Sequence, residues 1–344
     1  MSSVAMSMAP PNPGLIFEMV NAHQRTAALK AAIELDVFRA LGEGLDDAAS
    51  IAMRCGSSER GMRILCDFLV INGLLQKVDG KYRHTPTSAV FLDPASSASL
   101  ASMAQFMNNP AIHAVYDDLA EVVRRGRTTL PGTGTVEPEN PLWVEFAEKM
   151  APFTGPMAGP LCAVVTAAQG GATGPVRVLD IAAGHGLFGI EFAKCNPEAT
   201  VTAVDWPAVL EVSYRNATAA GVEARYERKP GSAFDVEFAG PYDVVLLTNF
   251  LHHFDPPTCV GLLKKIHAAL RPGGVVAALE FVPDECKTKP AAAAGFSMTM
   301  LTTTADGDAY SLSELRGMYE EAGFHDVKGT PLAMSPQTAV LGRV

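Results

Sequence analysis

Val178-Leu-Asp-Ile-Ala-Ala-Gly-His-Gly-Leu-Phe-Gly189 is the stretch on which the fold turns. Val176 to Ile181 reads as a strand, and Gly184, Gly186 and Gly189 follow it as GxGxxG at the start of a helix. Glycines at such places let backbone approach a ligand closely, and a helix N-terminus offers N–H groups to an anion. Outward from this stretch the texture repeats. Thr200 to Val204, Ala224 to Glu227, Tyr242 to Leu247 and Val275 to Phe281 read as strands, with helical stretches between most of them. Strand–helix alternation predicts an α/β, Rossmann-like domain with a mostly parallel sheet covered on both faces.

The glycine spacing alone serves a dinucleotide pyrophosphate as well as the α-carboxylate of S-adenosylmethionine, so a nicotinamide-dependent dehydrogenase stays open at this point. Three features bear on the choice. Asp180 ends the strand before the loop, where a carboxylate answers the cationic amino-acid end of S-adenosylmethionine. Asp205 closes the next strand, placed for ribose hydroxyls; both ligands want that. Leu270-Arg-Pro-Gly-Gly274 reads as a helix stop and turn before a late strand, a frequent methyltransferase feature.

The N-terminal part differs in texture. Leu15 to Ala40 has helical spacing, carried on by Leu35-Asp-Val-Phe38 to a break at Gly42 and Gly44. Asp46 to Cys55 and Ser58 to Asn72 read as short capped helices. Leu74 to Val78, Asp79-Gly80 and Lys81 to Thr85 give a hairpin signal, since Asp-Gly supplies the positive φ values of a tight turn. Helix, helix, helix, hairpin is the plan of a winged helix. Ala98 to Gln169 is helical, interrupted at Pro110, Pro131-Gly132 and Pro138 to Pro141, and the Gly170-Gly-Ala-Thr-Gly-Pro175 run marks a boundary. The expected domains are 1–97, a winged-helix domain; 98–172, a helical linker; and 173–344, the ligand-binding α/β domain.

The 344 residues, 48 % hydrophobic and 19 % charged, suffice to bury a core. A formal net charge of −10 argues against a nucleic-acid partner. The six cysteines are scattered, which fits free thiols in a reducing compartment. The opening lacks the pattern of a secretion signal, and no run approaches a membrane span, so a cytoplasmic protein without a membrane partner is expected. No histidine–carboxylate cluster is spaced for a metal, and metal-independent chemistry is expected.

The C-terminal half resembles the class I S-adenosylmethionine-dependent methyltransferases. The whole chain resembles the dimeric small-molecule O-methyltransferases, a family that includes the caffeic acid, isoflavone and acetylserotonin enzymes. The resemblance is most specific at Val178 to Gly186, Val204-Asp-Trp-Pro207, Gly231-Ser-Ala-Phe234, Asn249-Phe-Leu-His-His-Phe254 and Arg271-Pro-Gly-Gly274. It implies that 1–97 is a dimerisation domain through which a homodimer is built, that the 98–172 linker roofs the active site, and that S-adenosylmethionine is the donor and adenosylhomocysteine the product. Asp180, Ala182, Gly184 and Gly186 would hold the methionine end and Asp205 the ribose. Trp206 and Phe234 would flank the adenine, near Ser232 and Ala233; Ser232 stands where the family usually carries Asp. Asn249 follows the fourth strand on the same side.

The resemblance also implies that His252 is the catalytic base, removing a hydroxyl proton as oxygen attacks the methyl group. An imidazole's ordinary pKa lies near neutrality and suits that task. Two acids steady this histidine in the plant enzymes. Tracking from Met300-Leu301, their positions fall at Ser297 and Ala309, neither of which is a carboxylate; Asp306 and Asp308 lie nearby. Such a gap leaves proximity as the main source of rate and keeps a nitrogen or carbon acceptor, or a reaction other than methyl transfer, open. Phe106, Met107, Trp143, Phe146, Met150, Phe153, Met157, His253, Phe296 and Met300 are the candidates to line a flat, hydrophobic acceptor, a small aromatic or polyketide-like molecule. A winged-helix regulator is the rival from another class, with only Arg54, Arg60 and Arg63 on its second and third helices to meet phosphate.

Overall fold

The computed structural model describes residues 11–171, 174–333 and 335–344. Ala172 and Thr173 of the expected glycine-rich boundary, and with them the 172/173 limit, lie outside the described residues. The chain divides between Asn108 and Asn109 into two compact units.

In the first unit the single helix expected from Leu15 onward is three: Gly14–Val20, Ala22–Glu34 and Val37–Gly42. Asp36 makes the second break by taking a left-handed conformation, φ +60°, which Asp tolerates better than most side chains. Helices Ala48–Arg54 and Glu59–Ile71 begin where caps predict: Asp47 accepts the Ser50 N–H (2.9 Å) and Ser58 that of Gly61 (3.1 Å). Strands β1 (Leu75–Val78) and β2 (Lys81–His84) pair antiparallel across Asp79 and Gly80, both at positive φ as a two-residue turn of this type requires. Phe38, Ile51, Met62, Leu69 and Tyr82 fill the unit's core. Arg54 and Arg63 are paired with Glu43 and Asp67. Helix Ala101–Met107 carries Phe106, buried, and Met107, half-exposed.

The second unit opens with helix Pro110–His113; Pro110 starts this helix, capped by Asn109, where it was expected only to interrupt one. Its sheet has seven strands in the order β5-β4-β3-β6-β7-β9-β8. The strands are β3 (Arg177–Ile181), β4 (Thr200–Asp205), β5 (Tyr226–Pro230), β6 (Tyr242–Thr248), β7 (Leu270–Glu280), β8 (His325–Pro331) and β9 (Thr338–Arg343). All neighbours run parallel except β9, antiparallel to both β7 and β8. The last two strands were not read from the sequence, and β5 starts later than expected because Glu223–Arg225 is a 3-10 turn. Arg271-Pro-Gly-Gly274 is no turn ahead of the strand; it lies inside β7. Tyr242 pairs with Leu270 and Val244 with Val275, so these four residues stand opposite Asp243 alone, three residues of extra length on one side of the ladder.

The sheet is covered on both faces, which is why its central strands are nearly continuous apolar runs. Leu161, Val165, Phe188, Phe192 and Leu210 pack on one face; Leu262, Leu263, Ile266, Leu315 and Tyr319 pack on the other. No helix among the described residues is long and apolar enough to cross a membrane.

Candidate active site

A cavity of about 620 Å³ opens at the carboxyl ends of β3 to β6, within the second unit. The chain reverses its winding between β3 and β6, and open α/β sheets bind ligands at that point. The volume falls in the range of small-molecule sites.

The glycine loop forms one wall. Gly184 and Gly186 have φ of +56° and +75°, and Ala182, with φ +53°, shares that strained region. A Cβ on Gly186 would stand 2.5 Å from Tyr226 Oη and 2.8 Å from Ser213 Cβ, so the loop is pressed onto the sheet behind it. Asp205 holds the loop from the cavity side: its carboxylate accepts N–H bonds from Gly184 (2.8 Å) and Trp206 (2.7 Å). Burial raises its pKa to about 6.

Asp180 is placed otherwise than expected. It is fully buried beneath the loop and absent from the cavity wall. One oxygen accepts the Gly189 N–H (3.1 Å); the other is buried with no partner among the described residues, as is Tyr226 Oη. Burial pushes its pKa well above the carboxylate range. Its contact with the ligand end of the loop is through Gly189, so it positions the loop. His185 was not foreseen. Its Nδ1 accepts the Leu187 N–H (3.1 Å), and its Nε2–H donates to Thr154 Oγ1 (2.5 Å), which donates in turn to the Met150 carbonyl (3.1 Å). Those partners fix a neutral tautomer, and burial lowers its pKa to about 4. Side chains thus take two of the first three N–H groups of helix Leu187–Cys195, leaving less of that terminus for an anion than the sequence suggested.

Ala182, Gly184, Asp205, Trp206, Ser232, Ala233, Phe234 and Asn249 all reach the cavity wall. Gly186 lies behind the loop. Asn249, with φ +55°, is held by a short bond from Gln337 Nε2 to its Oδ1. This donor set fits S-adenosylmethionine: a carboxylate beside a close-approach glycine for the ribose side, and flat faces at Trp206 and Phe234 for a purine.

Trp143, Phe146 and His253 also line the cavity, with Trp143 edge-on to His253 at 5.3 Å and packed with Trp206 on Val209 and Val212. Met150, Phe153, Met157 and Met300 are spent on packing and do not line this cavity. Phe296 stacks on Phe281 (4.0 Å) and meets the His252 ring edge-on (4.8 Å). Phe106 and Met107 belong to the first unit.

His252 and His253 lie in the 3-10 turn that leaves β6. A carboxylate partner for His252, which tracking to Ser297 and Ala309 left missing, is supplied by Glu280, the last residue of β7. Its Oε2 accepts a short bond from His252 Nδ1, while Oε1 accepts the N–H groups of Phe250 (3.1 Å) and Leu251 (2.9 Å). Ser297 Oγ is buried without a hydrogen-bond partner among the described residues, and Ala309 is buried apolar core. Asp308 pairs with Lys287 (2.8 Å), and Asp306 lies on the cavity wall. His253 donates Nδ1–H to the Phe250 carbonyl (3.2 Å); burial, and then His252, lower its pKa well below the usual imidazole value. No hydrogen-bond partner meets Nε2 of either ring among the described residues. The two rings are 4.3 Å apart, with His253 on the wall and His252 behind it.

The architecture is the class I methyltransferase fold following a helical domain. Residues 163–325 match the O-methyltransferase domain family and residues 17–94 the O-methyltransferase dimerisation domain family. A putative O-methyltransferase from Nostoc punctiforme is 43 % identical, with a TM-score of 0.93 over 97 % of this chain and 100 % of that one. The 3-hydroxy-5-methyl-1-naphthoate 3-O-methyltransferase of Streptomyces sahachiroi is 29 % identical over 100 % of this chain and 99 % of its own length. Human N-acetylserotonin methyltransferase in complex with SAM shares the fold (TM-score 0.84, 23 % identity, 100 % and 99 % covered). The chain belongs to the O-methyltransferase family, and it is an S-adenosylmethionine-dependent methyltransferase with an N-terminal dimerisation domain.

Proposed function

We propose that this enzyme methylates a hydroxyl group on a small, planar aromatic or polyketide-like molecule, and that it works as a cytoplasmic homodimer joined through its N-terminal domain. The observation that carries the reading is His252 bonded through Nδ1 to the buried Glu280, beside a cavity lined by aromatic side chains. The Streptomyces relative acts on a hydroxylated naphthoate, an acceptor of this shape.

When bound, S-adenosylmethionine supplies a methyl group made electrophilic by a positively charged sulfur. Asp205, Trp206, Ser232, Ala233, Phe234, Ala182, Gly184 and Asn249 would hold it, with Asp180 and Gly186 shaping the loop. Trp143 and Phe146 seat the acceptor ring and exclude water. His252 takes the hydroxyl proton on Nε2, and Glu280 balances the imidazolium charge and fixes the tautomer. His253, neutral with a free Nε2, orients the hydroxyl. One observation favours a second reading, in which His253 itself takes the proton: it lies on the wall and His252 does not.

The test is incubation with S-adenosylmethionine and a panel of phenols, with products followed by mass. No methylated product from any member, despite donor binding, would refute hydroxyl methylation. His252→Asn and His253→Asn then separate the bases. The first reading expects the larger fall in kcat, about 10²–10⁴-fold, from His252→Asn, and mainly a KM change from His253→Asn.

A further inference from the structure

We propose that the cavity selects its acceptor by charge, taking an uncharged or amine-bearing aromatic ring and rejecting one that carries a carboxylate. This rests on the reading that the same cavity receives the acceptor. Four aspartates reach the cavity wall, Asp205, Asp235, Asp255 and Asp306, and no lysine or arginine does. Both histidines on the wall are neutral: partners fix the His185 tautomer on both nitrogens, and His253 is held uncharged by burial and by the neighbouring His252.

The cations and dipoles that would receive an anion are committed elsewhere. Lys265 Nζ donates to the carbonyls of Ala233 (3.0 Å) and Phe234 (2.8 Å) and does not line the cavity. Lys287 is paired with Asp308 (2.8 Å) and Glu314 (3.0 Å). The N-terminus of helix Pro256–Ala269, which opens beside the cavity, is already capped by Asp255 through the Thr258 N–H (2.9 Å). A carboxylate entering here would lose its hydration and meet like charges, and among the described residues the wall offers it neutral hydroxyl, amide and indole groups but no lysine or arginine to compensate. What the wall offers is the unpartnered Nε2 of His253, nine-tenths buried, an acceptor suited to a neutral hydroxyl or an ammonium. The same negative field suits a donor of net positive charge. This enzyme therefore differs in acceptor class from the naphthoate-methylating relative.

The experiment uses the full chain with adenosylhomocysteine present and one hydroxynaphthalene scaffold bearing a carboxylate, its methyl ester, its primary amide or an aminomethyl group. Binding is read by calorimetry at pH 7.5, and product formation with S-adenosylmethionine is read separately by mass. The ester, amide and amine are expected to bind at least about tenfold more tightly than the acid, as one unscreened like charge suffices for that factor. Asp306→Asn is expected to improve binding of the acid about threefold or more and to leave the ester unchanged. An acid that binds as tightly as its ester, or four compounds that fail to bind, would overturn the proposal. The expected ranking in binding with no methylated product from any compound would refute hydroxyl methylation and leave charge selection standing.

Discussion

Replacing Glu280 by glutamine tests whether His252 works as a base or whether alignment alone drives the reaction. The change keeps size and one acceptor oxygen. That oxygen still meets the N–H groups of Phe250 and Leu251, which now bond Oε1 at 3.1 and 2.9 Å. The amide NH₂ then faces His252 Nδ1 where a carboxylate oxygen stood. Two donors cannot share that contact, so the imidazole must move its proton to Nε2 and turn a donor, not a lone pair, outward. Removing the charge also leaves a protonated His252, buried with 3 % exposure, without its counter-ion. General-base assistance is worth about 10²–10⁴-fold, and kcat should fall by that amount while donor affinity changes by less than about threefold. Glu280→Ala is the contrast: it orphans three buried donors at about 1–3 kcal/mol each and should lower the melting temperature as well. The assay is initial rate with any acceptor from the phenol panel, paired with calorimetric donor titration and a thermal melt. A Glu280→Gln enzyme that melts like the wild type, binds donor normally and keeps kcat within threefold would refute base catalysis through this pair.

Other outcomes follow from the cofactor side. Asp205 has its pKa raised to about 6, so donor affinity should drop as pH falls through 6, when protonation weakens it as acceptor for ribose hydroxyls; Asp205→Asn should bind weakly and without that pH dependence. The two tryptophans of the chain, Trp143 and Trp206, both line the cavity, and their fluorescence reports the titration. His185 has its pKa lowered to about 4, so between pH 6.5 and 4 the unfolded chain takes up this proton while the folded chain does not. That group's contribution is therefore present above pH 6.5 and lost as pH falls towards 4. It amounts to about 3 kcal/mol, and His185→Gln should flatten this part of the stability–pH curve in urea melts. Gly186→Ala adds a Cβ at φ +75° and within 2.8 Å of Tyr226 and Ser213, and should cost about 2 kcal/mol or more and weaken donor binding in the same titration.

The legible parts of the fold were those that one local rule decides. The Asp79-Gly80 hairpin follows from two positive φ values, and β3, β4 and β6 follow from apolar runs that only a doubly covered sheet requires. β8 escaped because it is an edge whose side chains are nearly all exposed, Val327 alone being buried, so it carries no apolar run; β9 does carry one, Ala339 to Leu341 being buried, and only its pairing with β7 and β8 marks it as part of the sheet. The break at Asp36 escaped for the opposite reason: its neighbours keep helical spacing, and only the backbone angle of one residue, set by tertiary packing, turns the chain.

In the site, one signal was present three times and used twice. A charged residue closing an apolar strand marks Asp180 and Asp205, and it equally marks Glu280 after Val275 to Leu279. Pairing decides which of them serves the histidine. In the parallel ladder Thr248 lies opposite Leu279, and the Asn249 N–H bonds the Leu279 carbonyl at 2.9 Å. The residue that follows Leu279 must then sit beneath the turn that follows Asn249. Glu280 meets the N–H groups of Phe250 and Leu251 and the His252 ring because the two strands end in register, although 28 residues separate acid and base. Tracking from Met300-Leu301 to Ser297, which lies in helix Ala291–Thr303, and to Ala309 uses no such pairing and therefore passed over Glu280. Asp180, by the same rule, lies one residue inside the end of β3, opposite Ala203 and Leu246 and short of the last residues of β4 and β6, and so it stays beneath the loop instead of reaching the cavity. Register, not charge alone, separates the carboxylate that shapes the glycine loop from the one that holds the base.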